Sequence, residues 1–224
     1  MKFIHIADVH LGVSPEAGRA YSGERSGEIW ESFRRLIRVC KKEMPDLLLV
    51  AGDLFHRQPL LRELKEVDGL FASLDRTQVV LVAGNHDYMR RESYYRTFQW
   101  SPNVHFLGSD RVEAVELPAL ETAVYGCSYH ERQIREPLYD SAPAAGRQKT
   151  EILLAHGGDG THIPINRERL AGLGYAYVAL GHIHMPQVVI PGLAAYAGAL
   201  EPTDKNDTGK HGYIQGEITE EGTC

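Results

Sequence analysis

The chain is poor in cysteine. Cys40, Cys127 and Cys224 are its only three, an odd number at wide spacing with no CxxC pair. Neither a disulfide framework nor a zinc knuckle is indicated, and a reducing cytoplasm is the expected setting. Long apolar runs are also missing: Met1-Lys2-Phe3-Ile4-His5-Ile6 passes directly to Asp8 and His10, without the hydrophobic region of a signal peptide or a membrane span. No membrane partner is expected. Nor is there an excess of positive charge, since 24 Lys and Arg stand against 30 Asp and Glu. Broad binding to nucleic acid relies on Lys and Arg releasing counterions, so a polyanionic substrate would need local help here. There is no internal repeat, low-complexity tract or interdomain linker. One domain over residues 1–224 is expected, long enough to bury roughly 70% of its unfolded surface.

What the chain does have is histidine, 11 in all, five of them inside short motifs bearing Gly or Asp. His5, His105, His130 and His162 stand outside those motifs and need no special role. Lys2 to Ala7 reads as a strand leading into Asp8-Val9-His10, where an i, i+2 pair would face one side. Ile29, Trp30, Phe33, Leu36, Ile37 and Cys40 form the apolar stripe of a helix from about Glu28 to Lys42. Leu47 to Ala51 is a buried strand delivering Gly52-Asp53-Leu54-Phe55-His56, and Leu61, Leu64, Val67, Phe71 and Leu74 mark a second helix. Gln78 to Ala83 is a third strand, ending in Gly84-Asn85-His86-Asp87. This alternation predicts parallel right-handed crossovers with their carboxyl ends at one edge.

Past Asp87, a short helix over Tyr94 to Trp100 is expected, then antiparallel strands of a second sheet at Val104 to Leu107, Val112 to Leu117 and Ala123 to Tyr125. Residues 131–150 read as a polar surface excursion. Glu151 to Ala155 ends in His156-Gly157-Gly158-Asp159, and Tyr177 to Leu180 in Gly181-His182-Ile183-His184. Val188 to Ile190, Ala194 to Ala197 and Tyr213 to Ile218 read as strands closing the second sheet.

An Asn-His-Asp turn alone is an ordinary surface turn. Five strand ends together, however, gather Asp8, His10, Asp53, Asn85, His156, His182 and His184, and burying such a set without a cation would be costly. Two divalent cations sharing Asp53 would use all seven and leave room for water and substrate. Mixed oxygen and nitrogen donors without thiolate favour manganese, iron or zinc over magnesium, an order of affinity that does not choose among the three; two manganese ions are the first expectation. The expected chemistry is attack on a phosphodiester by hydroxide generated between two metals, with His86 protonating the leaving oxygen and Asp87 orienting its neighbours.

The motifs DxH, GD, GNHD, HGG and GHIH, in this order, resemble the calcineurin-like metallophosphoesterase superfamily. The surrounding stretches His5 to Gly12, Ala51 to Pro59, Tyr177 to Gln187 and Tyr196 to Pro202 resemble its SbcD-like DNA repair exonucleases, including the YhaO-type branch. The resemblance implies an α/β sandwich of two mixed β-sheets flanked by helices. It implies one metal on Asp8, His10, Asp53 and His184, the other on Asp53, Asn85, His156 and His182, and His86 as the catalytic acid. It further implies that His56 helps present the scissile phosphate, and that DNA, an SbcC-like ATPase and a second copy of the chain are partners, with Leu60 to Leu74 and Tyr94 to Trp100 as dimer surfaces. His56-Arg57-Gln58 stands where protein phosphatases of the superfamily carry Asp-Arg-Gly, which counts against a phosphoprotein substrate. No capping domain is expected within the chain. The alternative expectation is a phosphodiesterase or phosphatase for nucleotides or cyclic nucleotides.

Overall fold

A computed structural model describes every residue except Glu16, Ala17, Arg19, Ala20, Tyr21, Glu221 and Cys224. The expectation for Cys224 lies outside the described residues, whereas Cys40 and Cys127 are buried free thiols. The chain runs β1 (Lys2–Ile6), α1 (Ser22–Glu43), β2 (Leu47–Ala51), α2 (Leu61–Ala72), β3 (Gln78–Val82), β4 (Val104–Phe106), β5 (Glu113–Leu117) and β6 (Thr122–Gly126). It continues through β7 (Thr150–His156), α3 (Arg167–Ala171), β8 (Tyr177–Gly181), β9 (Gln187–Ile190), β10 (Ala194–Tyr196), β11 (Ile214–Thr219) and β12 (Gly222–Thr223).

Two six-stranded mixed sheets result, ordered β12-β11-β1-β2-β3-β4 and β5-β6-β7-β8-β10-β9. The expected crossovers form, with β1, β2 and β3 as parallel neighbours; in the second sheet β5 and β6 are antiparallel as expected, while β6, β7 and β8 are parallel, which was not expected. Alternate residues explain why these strands are apolar on both faces. Phe3, Leu47, Leu49, Val80 and Val82 meet Val124, Ile152, Leu154 and Tyr177 between the sheets. Ile4, Ile6, Leu48, Val50 and Leu81 face the opposite way, against Ile29, Phe33, Ile37, Leu64, Val67 and Phe71 of α1 and α2. At Gly181 the sheets approach so closely that a Cβ would overlap the Ala51 carbonyl, which joins β2 and β8 at their carboxyl ends.

Two strands depart from expectation. Val104–Phe106 belongs to the first sheet, parallel to β3, because Phe106 stacks on Tyr95 at 4.8 Å on the helix-covered face. Ile214–Thr219 also joins the first sheet, antiparallel to β1, filling the open side of that strand. Alternation marks a strand but not its sheet. α1 begins at Ser22, ahead of the apolar stripe, and only Tyr94–Arg96 of the short helix expected near Tyr94 is helical, as a 3-10 turn. The 131–150 excursion is largely exposed, yet it drives Tyr139 fully into the core.

Candidate metal centre

Four of the seven expected ligands leave regular backbone. Asp8, His10 and Asp53 follow the ends of β1 and β2 with φ of 50°, 52° and 50°, and His182 follows β8 with φ of 99°. Left-handed conformations cost residues bearing a Cβ on the order of 1 kcal/mol or more, and persist where their surroundings impose them. Here backbone hydrogen bonds do so: the N–H groups of Asp8, His10 and Leu11 donate to the carbonyls of Gly52, Asp53 and Leu54 at 2.9–3.1 Å. Asp8 and His10 thus converge through these turns rather than through the pleat of a strand, which has ended at Ile6. Gly52 and Gly84 permit the close packing. A Cβ at the first would overlap the His156 ring, and at the second the Asp53 carboxylate.

Asp53 lies between two halves. Its Oδ1 accepts the His86 N–H at 2.8 Å, while its Oδ2 stands 3.8 Å from His10 Nε2 and 3.5 Å from His156 Nε2. In one half, His10 Nε2 and His184 Nε2 are 3.1 Å apart, and both join Asp8 in a group whose donor atoms lie within 4.8 Å. In the other, Asn85 Oδ1 lies 2.9 Å from His156 Nε2 and 3.1 Å from His182 Nδ1. Asp8 accepts the His182 backbone N–H on both oxygens.

His182 and His184 do not share one direction, as an i, i+2 pair would: the first turns to Asn85, the second to His10. Nearby acceptors indicate which ring nitrogen carries hydrogen. His156 Nδ1–H donates to the Ala51 carbonyl at 2.8 Å, His182 Nε2–H to Asp159 at 2.8 Å and His184 Nδ1–H to Asp207 at 2.9 Å. The inward nitrogens are then lone pairs, and those of His156 and His182 meet Asn85 Oδ1 with no proton between them. A cation relieves that arrangement, so the residues fit the two metals expected of them.

Burial sets the electrostatics. It pushes His156 down to about 3 and, with the repulsion that a protonated His156 would add, His182 down to about 4, so both rings are uncharged at neutral pH. His10 is lowered by burial and by its histidine neighbours. Asp8 is raised well above the carboxylate range, first by burial and then by Asp53; Asp53 is raised by burial. Bound cations would reverse that penalty on ionisation.

His86 Nδ1 donates to the His56 carbonyl at 3.2 Å, leaving Nε2 for a substrate, and its ring lies 4.8 Å from those of His10 and His56. His56 Nδ1 is 3.3 Å from His10 Nδ1. Asp87 is fully buried and accepts from Gly84 N–H, Phe55 N–H and the Tyr95 hydroxyl at 2.8–3.1 Å. It holds the turns rather than a substrate, and burial followed by the Asp53 charge raises it to about 7. Sequence reasoning missed Asp159, Asp207 and His162. His162 Nδ1 meets Asp159 Oδ2 at 2.8 Å, and His162 N–H donates to Asp159 Oδ1. The Asp in the HGGD stretch was the available signal; Asp207 had none.

Buried carboxylates and uncharged imidazoles at the carboxyl edge of facing mixed sheets mark a metal-dependent phosphoesterase. The chain belongs to the calcineurin-like phosphoesterase family, whose model matches residues 1–186. Among its relatives, the DNA double-strand break repair protein Mre11 of Methanocaldococcus jannaschii is 30% identical over 92% of this chain and 58% of its own length. The uncharacterized metallophosphoesterase YhaO of Bacillus subtilis is 30% identical over 98% and 58%. A component of the nuclease SbcCD of Bacillus subtilis is 27% identical over 89% and 61%. The chain therefore spans about three-fifths of the length of these relatives. Among the described residues, no helix is long and apolar enough to cross a membrane.

Proposed function

We propose that the chain is the nuclease core of a DNA repair enzyme, hydrolysing phosphodiesters with two divalent cations, manganese by preference, held by Asp8, His10, Asp53 and His184 and by Asp53, Asn85, His156 and His182. The observation that carries the hydrolytic reading is Asp53 Oδ2, set within 3.8 Å of donors from both halves. When bound, the cations supply positive charge against the phosphate and lower the pKa of water towards neutrality. In its doubly protonated form, with Nδ1–H held on the His56 carbonyl, His86 would give its Nε2 proton to the leaving oxygen, and His56 would steady the phosphate beside it. Asp87 fixes the backbone of both turns.

DNA as substrate is supported by the relatives named for double-strand break repair and for a nuclease. A cytoplasmic setting and an ATPase partner accompany that likeness. Exposed Leu60, Leu61 and Tyr94 are consistent with a homodimer through those segments. The formal charge of −6 favours the second reading, a phosphodiesterase or phosphatase for nucleotides. The deciding experiment compares linear DNA with small nucleotide phosphodiesters in manganese. Release of nucleotides from DNA is expected; turnover of small esters with DNA left intact would establish the second reading instead.

A further inference from the structure

His182 and His184 are each gripped from outside by a carboxylate that is not in the proposed ligand set. Asp159 Oδ2 lies 2.8 Å from His182 Nε2, and Asp207 Oδ2 lies 2.9 Å from His184 Nδ1. The rings are thus held through opposite nitrogens, so that Nδ1 of one and Nε2 of the other point inward. Both carboxylates are themselves anchored. Asp159 Oδ1 accepts from the N–H and hydroxyl of Thr161 and from the His162 N–H at 2.7–3.0 Å, while its Oδ2 also meets His162 Nδ1. Asp207 Oδ2 accepts from the N–H and hydroxyl of Thr203 at 2.9 and 2.7 Å. The first anchor sits in the connection after β7, the second in the connection between β10 and β11. An uncharged imidazole ligates through one nitrogen, and the acceptor facing the other decides which.

We infer that Asp159 and Asp207 are positioning residues that lock His182 in its Nε2–H tautomer and His184 in its Nδ1–H tautomer, each presenting the inward lone pair to a different cation. The inference rests on the metal-ligand reading above. A carboxylate behind each ring also raises its basicity as a donor, and losing such a partner weakens metal affinity by roughly 10- to 100-fold. Because the anchors are separate, Asp159→Asn should weaken one ion and Asp207→Asn the other.

Two readouts test this on the full chain. Nitrogen-15 NMR of the histidine rings in the metal-free protein should show the two stated tautomers, each lost or mixed in the matching variant. Manganese titration, with free Mn2+ followed by electron paramagnetic resonance, should show one of two sites weakened about 10-fold or more in each variant. Opposite or averaged tautomers in the unsubstituted chain would overturn the inference. So would affinities within about twofold of the parent in both variants, even where a lowered melting temperature shows that the substitution was felt. Locked tautomers in a chain that takes up fewer than two manganese ions would overturn the ligand reading, and the assignment to cations with it.

Discussion

The two sheet edges that supply the candidate centre are built by different means. On the side of β1 and β2, Asp8, His10 and Asp53 sit on left-handed backbone, almost wholly buried and stitched together by main-chain hydrogen bonds. On the side of β7 and β8 the donors are imidazoles. His182 and His184 are more open, with side chains 14% and 27% exposed, and their direction is set by side chains from other loops. Main-chain hydrogen bonds between two strand ends place the first set, whereas carboxylates from separate loops place the rings of the second. Asp53, although it follows β2, is where the two meet, its Oδ2 standing 3.8 Å from His10 Nε2 and 3.5 Å from His156 Nε2.

The comparison can be broken first at that meeting point. Asp53→Asn removes the charge facing both halves and should abolish uptake of two ions, slowing hydrolysis a thousandfold or so, as several kcal/mol of transition-state charge stabilisation is lost. Metal analysis and turnover together check this. His86→Ala should separate placement from proton transfer. Loss of about 10²- to 10⁴-fold in rate is expected with both ions retained, read by turnover beside a manganese titration. Asp87→Ala attacks the turns after β2 and β3, because it strands the Phe55 and Gly84 N–H groups and the Tyr95 hydroxyl. At about 1–3 kcal/mol for each unsatisfied group, partly relieved by water, a loss of about 2–4 kcal/mol in urea unfolding is expected.

His5 supplies the control, being buried beside Tyr177 and outside both halves. Burial lowers it to about 3, so between pH 6.5 and 3 the unfolded chain binds a proton that the folded chain refuses. Stability falls as pH drops through that window, and above it His5 contributes no pH dependence. In His5→Leu, stability relative to the parent should improve by about 2 kcal/mol between pH 7 and pH 5, measured by chemical denaturation of the metal-free protein.

The same contrast explains what was legible in the sequence. β1, β2, β3, β7 and β8 announce themselves as short apolar runs closed by Gly or Asp, and the motifs at their ends were visible because the candidate ligands stand directly after those runs, although the partners that shape the turns lie far off in the chain. The sheet to which β4 and β11 belong was not legible, since a short strand alternates identically in either sheet and only Tyr95 and β1 decide. Asp207 was not legible either, because its partner His184 lies 23 residues away in an unrelated motif. His162 looked ordinary for a similar reason: its role passes through Asp159 to His182.

The central claim is one centre with two cations joined through Asp53. Manganese titration of the parent and Asp53→Asn proteins tests it most directly. Two ions per chain in the parent, with the tight binding of both lost in the variant, is the predicted result; fewer than two ions in the parent, or two still held tightly by Asp53→Asn, would contradict it.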